Sequence, residues 1–254
     1  MRKPLLPYVA RLTLIQATML VAACKAPTDG NAAADNAAAA APVSQTSPAA
    51  PVAEATRVAG PKRIVLAFGD SLYAGFGLQR GQSLPDAIQQ RLRANGIDAT
   101  LVNAGVSGDT TAGGRQRLAY TLDQLDRAPD LVLLGLGGND MLRQIDPAET
   151  RANLDAMLDE LGRRNIPVVL TGVLAPPNLG PEYAARFNTI WPDLAREHQA
   201  VLDPFILQGV IGNRALMLGD GVHPNAQGIA RIADRVAPLV RQRLAALPAE
   251  TARR

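Results

Sequence analysis

From Lys62 onward the chain alternates short, almost continuous apolar runs with longer amphipathic segments, and no other feature restricts the fold as much. The runs are RIVLAF (63–68), ATLVNA (99–104), LVLLGL (131–136), PVVLTG (167–172) and a weaker AVLDP (200–204). They are too short for ordinary helices and carry little polar alternation, which suits strands covered on both faces. Helical patterns lie between them. Ser83 is placed to cap LPDAIQQRLRAN, and Gly96 follows its end. Asp146, Pro147 and Glu149 read as a capping box with proline at the first helical position. In the segment they open, Leu154, Met157, Leu158 and Leu161 form one apolar stripe, which belongs to a core. A third pattern covers 181–198, with a bend expected at Pro192, and a last one covers 229–247, disturbed at Pro238. The alternation predicts an α/β fold with a five-stranded parallel sheet and helices on both faces.

The segment before Lys62 is of another kind. Residues 1–23 carry Arg2, Lys3 and Arg11, no acids, and then the apolar stretch LTLIQATMLVAA. That order is an export signal. The stretch is too short to span a bilayer, which takes about 20 apolar residues. It ends in LVAAC, which resembles a lipobox, with Cys24 as the lipidated new N-terminus. The alternative is cleavage after VAA, which leaves Cys24 a free thiol. Cys24 is the only cysteine, so an internal disulfide is excluded. Residues 25–60 are Ala, Pro and small polar groups without apolar periodicity, the composition of a disordered tether. As a coil it would reach roughly 30–40 Å. The folded domain is expected over 61–250. Without the three early cations the net charge of +3 falls to zero, and no basic patch argues for nucleic-acid binding.

Open parallel sheets bind ligands beyond the carboxyl ends of their strands, so the chemistry should follow the apolar runs. There stand GDSLYAG, GVSGDTT, GGNDML and, after the fifth run, GDGVHPN. His198, among charged residues near a helix end, reads as a solvated partner of that terminus. His223 has Asp220 three residues before it, close enough to orient its imidazole and leave the other nitrogen free to take a proton. Ser71 then becomes the nucleophile, since a hydroxyl needs such a base. Acyl transfer also requires donors for an oxyanion, and Gly108 and Asn139 offer a backbone N–H and a side-chain amide. Singly, each has a plainer reading: Ser71 as a helix cap, Gly108 as a turn, Asn139 as a turn or cap. Together, at four strand ends, they form a catalytic set.

The blocks FGDSL, NAGVSGDTT, LGGND and DGVHP resemble, in order, the four sequence blocks of the GDSL/SGNH hydrolases. The resemblance implies a three-layer flavodoxin-like fold. It implies a triad of Ser71, Asp220 and His223. It also implies an oxyanion hole made by the Ser71 and Gly108 N–H groups and the Asn139 amide. It implies no cofactor and no metal, and no Walker motif, nucleophile elbow or metal-ligand spacing competes.

The tracts NAGVSGDTTAGG, LGGNDMLR and APPNLGPEYAARFN resemble the bacterial arylesterase, acyl-CoA thioesterase and lysophospholipase branch. The implied substrates are aryl or short-to-medium acyl esters, lysophospholipids or thioesters. The substrate pocket is expected to involve Asp70, Leu72, Asp140, Leu174, Pro176 and Leu179. A monomer is expected, held by its lipid anchor to a membrane facing the periplasm, or else soluble there. Two other readings stay open: a carbohydrate O-acetylesterase of the envelope, and a non-catalytic envelope lipoprotein.

Overall fold

The computed structural model describes residues 60–248. The expected signal segment, Cys24 and almost all of the Ala/Pro-rich tether lie outside the described residues. Five strands, β1 (Arg63–Gly69), β2 (Ala99–Gly105), β3 (Leu131–Gly135), β4 (Val168–Thr171) and β5 (Val201–Asp203), pair in parallel in the order β2-β1-β3-β4-β5. This is the flavodoxin-like order, whose switch point falls between β1 and β3.

The continuous apolar runs are explained by the two faces of the sheet. Val65, Ala67, Leu131 and Leu133 point into one core, closed by α2 (Leu84–Ala94) and α8 (Ala226–Ala245). Leu66, Phe68, Val132 and Leu134 point into the other, with α3 (Thr111–Asp123), α5 (Pro147–Arg163) and α7 (Ile190–Glu197). Neighbouring strand residues alternate between faces, so both sets must be apolar when both faces are covered.

The helix signals act as expected in most places. Ser83 and Asp86 form a reciprocal capping box, while Asp146 caps α5 through the Ala148 N–H alone. The segment over 181–198 breaks into α6 (Pro181–Asn188) and α7, joined at Thr189. Pro192 has no N–H for the Asn188 carbonyl, and its ring crowds that carbonyl, so the ladder stops there. Pro238, by contrast, sits inside an unbroken α8. Helix α3 gave no clear sequence signal because Gly113 and Gly114 weaken its first turns. The structure gives Gly114 a reason: a Cβ there would collide with Leu136 Cδ1.

Candidate active site

Strand β1 ends at Gly69, and the chain turns at once into α1 (Ser71–Ala74), one short helical turn. Asp70, not Ser71, is its cap: Asp70 Oδ1 accepts from the Leu72 N–H at 3.1 Å. The plain reading of Ser71 as a cap is therefore taken by its neighbour, and the Ser71 hydroxyl is left for other work. It lies 2.9 Å from His223 Nε2. His223 Nδ1 lies 2.6 Å from Asp220 Oδ2. With Nδ1–H donating to the carboxylate, Nε2 is left to accept from the serine hydroxyl.

Asp220 is itself held in place. Its Oδ1 accepts from the backbone N–H groups of Val222 at 2.9 Å and His223 at 3.0 Å. The His223 N–H, the His223 ring and the Val222 N–H together draw its pKa down to about 2. Asp220 therefore stays ionised at neutral pH.

Two further loops complete the edge. Val106 N–H donates to Gly69 O at 3.0 Å, which draws the loop after β2 against the strand that leads into Ser71. Within that loop Gly108 has φ +83, a left-handed conformation that favours glycine. Asn139 lies in the first turn of α4 (Gly138–Leu142), and its Nδ2 donates to Asp109 O at 2.9 Å. That bond uses one of its two amide hydrogens. The backbone N–H groups of Ser71 and Gly108 have no hydrogen-bond partner among the described residues. Unsatisfied N–H groups at a helix start and a turn are the donors an oxyanion needs.

Arg117, on α3, fastens these parts from below. Its Nε donates to Asp109 Oδ2 at 2.7 Å, and its Nη2 to Gly69 O at 3.0 Å. Its guanidinium also lies 3.8 Å over the Phe68 ring. One side chain thus ties the strand that presents Ser71 to the loop that presents Gly108. Sequence reading missed it because α3 itself was not legible.

A cavity of about 200 Å³ opens beside Ser71. Tyr73 and Thr171 line it, their buried hydroxyls hydrogen-bonded at 2.9 Å. Burial raises the Tyr73 pKa against the lowering pull of the Thr171 hydrogen bond, and the Asp70 and Asp203 carboxylates add to the rise, so it stays neutral. The walls are apolar: Met141, Leu142, Val173, Ile206, Leu207 and Ile211. Phe76 covers one side of His223, with ring centroids 4.4 Å apart.

Of the six expected pocket residues, Asp70 and Leu72 line this cavity. Asp140 does not: it is fully buried, accepting from Thr111 N–H at 2.8 Å and from the Thr111 and Thr150 hydroxyls. It ties α4 to the starts of α3 and α5 instead of facing substrate. Leu174, Pro176 and Leu179 do not line it either. Leu174 and Pro176 are exposed, and Leu179 packs against the core. Val173 supplies the wall from that segment, Met141 and Leu142 come from α4, and Ile206, Leu207 and Ile211 come from the loop after β5, whose apolar residues carry no motif.

His198 also differs from expectation. It is largely shielded, and its Nε2 stands 2.6 Å from Asp155 Oδ1, which pins the end of α7 to α5. Asp155, Asp159 and His198 stand close enough to share an ion, but none lines the cavity beside Ser71.

This site belongs to a class of enzyme defined by comparison. The model of the GDSL-like Lipase/Acylhydrolase family matches residues 67–231. The chain is 38% identical over 177 residues to Esterase TesA of Pseudomonas aeruginosa, covering 70% of this chain and 87% of that protein. It is 39% identical over 173 residues to an arylesterase of Vibrio mimicus, covering 68% and 86%. The crystal structure of AlinE4, an SGNH-hydrolase family esterase, superposes with a TM-score of 0.63 at 47% identity, covering 75% of this chain and all of that one. The chain belongs to the GDSL-like lipase/acylhydrolase family and is a carboxylic ester hydrolase.

Proposed function

We propose that this enzyme cleaves aryl and short-to-medium acyl esters through a covalent acyl-serine, with Ser71, His223 and Asp220 as its triad. The observation that carries this reading is the unbroken chain from Ser71 Oγ through His223 to Asp220 at the wall of an apolar cavity. His223 Nε2 takes the Ser71 proton as Oγ attacks the acyl carbonyl. Negative charge on the carbonyl oxygen is met by the Ser71 and Gly108 N–H groups and the free amide hydrogen of Asn139. His223, now an imidazolium steadied by Asp220, returns the proton to the leaving oxygen. It then deprotonates water for attack on the acyl-serine, and Ser71 is regenerated.

The cavity supports an acyl substrate: its walls of Met141, Leu142, Val173, Ile206, Leu207 and Ile211 offer an apolar chain a continuous surface beside Ser71. Lysophospholipids and acyl thioesters share the acyl carbonyl and fit the same attack, with longer chains leaving through the open mouth. The apolar lining counts against a site dedicated to sugar acetates, whose alcohol and acyl parts both offer little apolar surface. We further place the enzyme in the cell envelope facing the periplasm, anchored through lipid on Cys24, on the strength of the LVAAC stretch.

The test is hydrolysis of p-nitrophenyl esters from acetyl to palmitoyl by the protein and its Ser71→Ala variant. Activity confined to the parent, greatest at butyryl to octanoyl, supports the reading. Equal rates in the two proteins, or a rate falling steadily from acetyl, would overturn the nucleophile or the chain-length assignment respectively.

A further inference from the structure

Large apolar side chains in the described residues are exposed at seven positions, and their distribution is uneven. Leu142, Ile211 and Val222 line the cavity beside Ser71, and Phe76 lies over His223. Leu174 adjoins Val173 of the wall, and Val106 opens the Gly108 loop. Only Tyr120, on α3, is exposed elsewhere. Single exposed apolar residues are ordinary on a folded surface, but a cluster around one opening marks a contact site. Leu142 is 58% exposed and Ile211 45%.

The charges of the same loops that lack an ion-pair partner have one sign. Arg80 follows Phe76 by four residues, Arg143 follows Leu142 directly, and Arg214 follows Ile211 by three. All three are exposed. The side chains of Arg80 and Arg214 have no hydrogen-bond or ion-pair partner among the described residues, and the Arg143 guanidinium donates only to Gly108 O. The loops over 76–82, 106–110, 141–145, 205–214 and 218–223 contain two acids, Asp109 and Asp220. Asp109 is paired with Arg117, and Asp220 with His223.

We infer that the face around the cavity mouth docks on the surface of an anionic phospholipid bilayer, with the apolar rim entering the headgroup layer and the arginines meeting lipid phosphates. The inference rests on the esterase reading, because the docked mouth would take acyl chains directly from the lipid phase. Neither feature alone singles out this partner. An apolar rim would suit another protein, and free arginines would suit any polyanion. Apolar residues alternating with unpaired cations around an acyl cavity match a lipid surface, where each cation near anionic headgroups adds to apolar insertion.

The experiment uses the full chain and vesicles of phosphatidylcholine, alone or mixed with phosphatidylglycerol. Binding is read by co-sedimentation, and insertion by the fluorescence of a Leu142→Trp variant. The chain is expected to bind the phosphatidylglycerol vesicles at low salt and to prefer them over phosphatidylcholine. Arg80→Gln/Arg214→Gln should weaken that binding about 30-fold. Its hydrolysis of soluble p-nitrophenyl butyrate should be unchanged, and the Leu142→Trp emission should shift to the blue on the mixed vesicles. Equal binding by the double variant, equal binding to both vesicle types, or an unshifted emission would overturn the inference. The soluble-ester rate reports on the esterase reading separately, so failure of one is distinguishable from failure of the other.

Discussion

Asp70 stands beside Ser71, is 5% exposed, and its carboxyl accepts a hydrogen bond from the Leu72 N–H. Burial raises its pKa from 3.8 to about 6, against the opposing pull of that N–H and of His223, while Asp109 pushes the same way as burial. The folded protein therefore holds this proton more tightly than the unfolded chain does. Asp70 favours folding fully below about pH 4, and the contribution is lost as pH rises through about 6. A difference of about two pK units corresponds to about 3 kcal/mol. Asp70→Asn keeps the cap oxygen and the shape but cannot ionise. Urea denaturation of both proteins at intervals between pH 4 and 8 measures the difference. The variant should gain about 3 kcal/mol relative to the parent between pH 4 and 7, then no more. A difference that stays constant over this range would refute the reasoning, because it would mean that Asp70 ionises alike in the folded and unfolded chains.

Three further outcomes follow from the geometry. Asn139→Ala removes the amide proposed as an oxyanion donor and should lower kcat about 100- to 1,000-fold with little change in KM, read by steady-state kinetics on p-nitrophenyl butyrate. Arg117→Met cuts the tie between Gly69 and Asp109, so kcat should fall about 10- to 100-fold while KM holds, with Arg117→Lys recovering part of the loss. Leu134→Ala, at a fully buried position of β3, should cost about 2–5 kcal/mol in denaturant unfolding.

The fold was legible where one physical demand dominates. Val65 to Phe68 must satisfy two cores at once, so the run reads as a doubly covered strand without reference to any neighbour. The hydrogen-bonded chain of Ser71, His223 and Asp220 was legible for a similar reason: Asp220 and His223 are close in sequence, and Ser71 follows directly on a strand that ends in glycine. What escaped depends on contacts between distant segments. Helix α3 carries glycines where helix formers are expected, because Leu136 presses against Gly114. Arg117 therefore went unread. Asp140 looks like a site residue from its place after Asn139, yet its partners are threonines on two other helices. The cavity wall from the loop after β5 has no local pattern, since apolar residues facing a cavity and those facing a core are chemically alike.

Stable labelling of Ser71 tests the central claim most directly. Treated with a fluorophosphonate, the protein should gain one phosphonyl group, located to the peptide bearing Ser71 by mass spectrometry. His223→Ala should react far more slowly, since the hydroxyl has then lost its base. An adduct on another residue, or equal labelling of the parent and the His223→Ala variant, would contradict the assignment of Ser71 as the activated nucleophile.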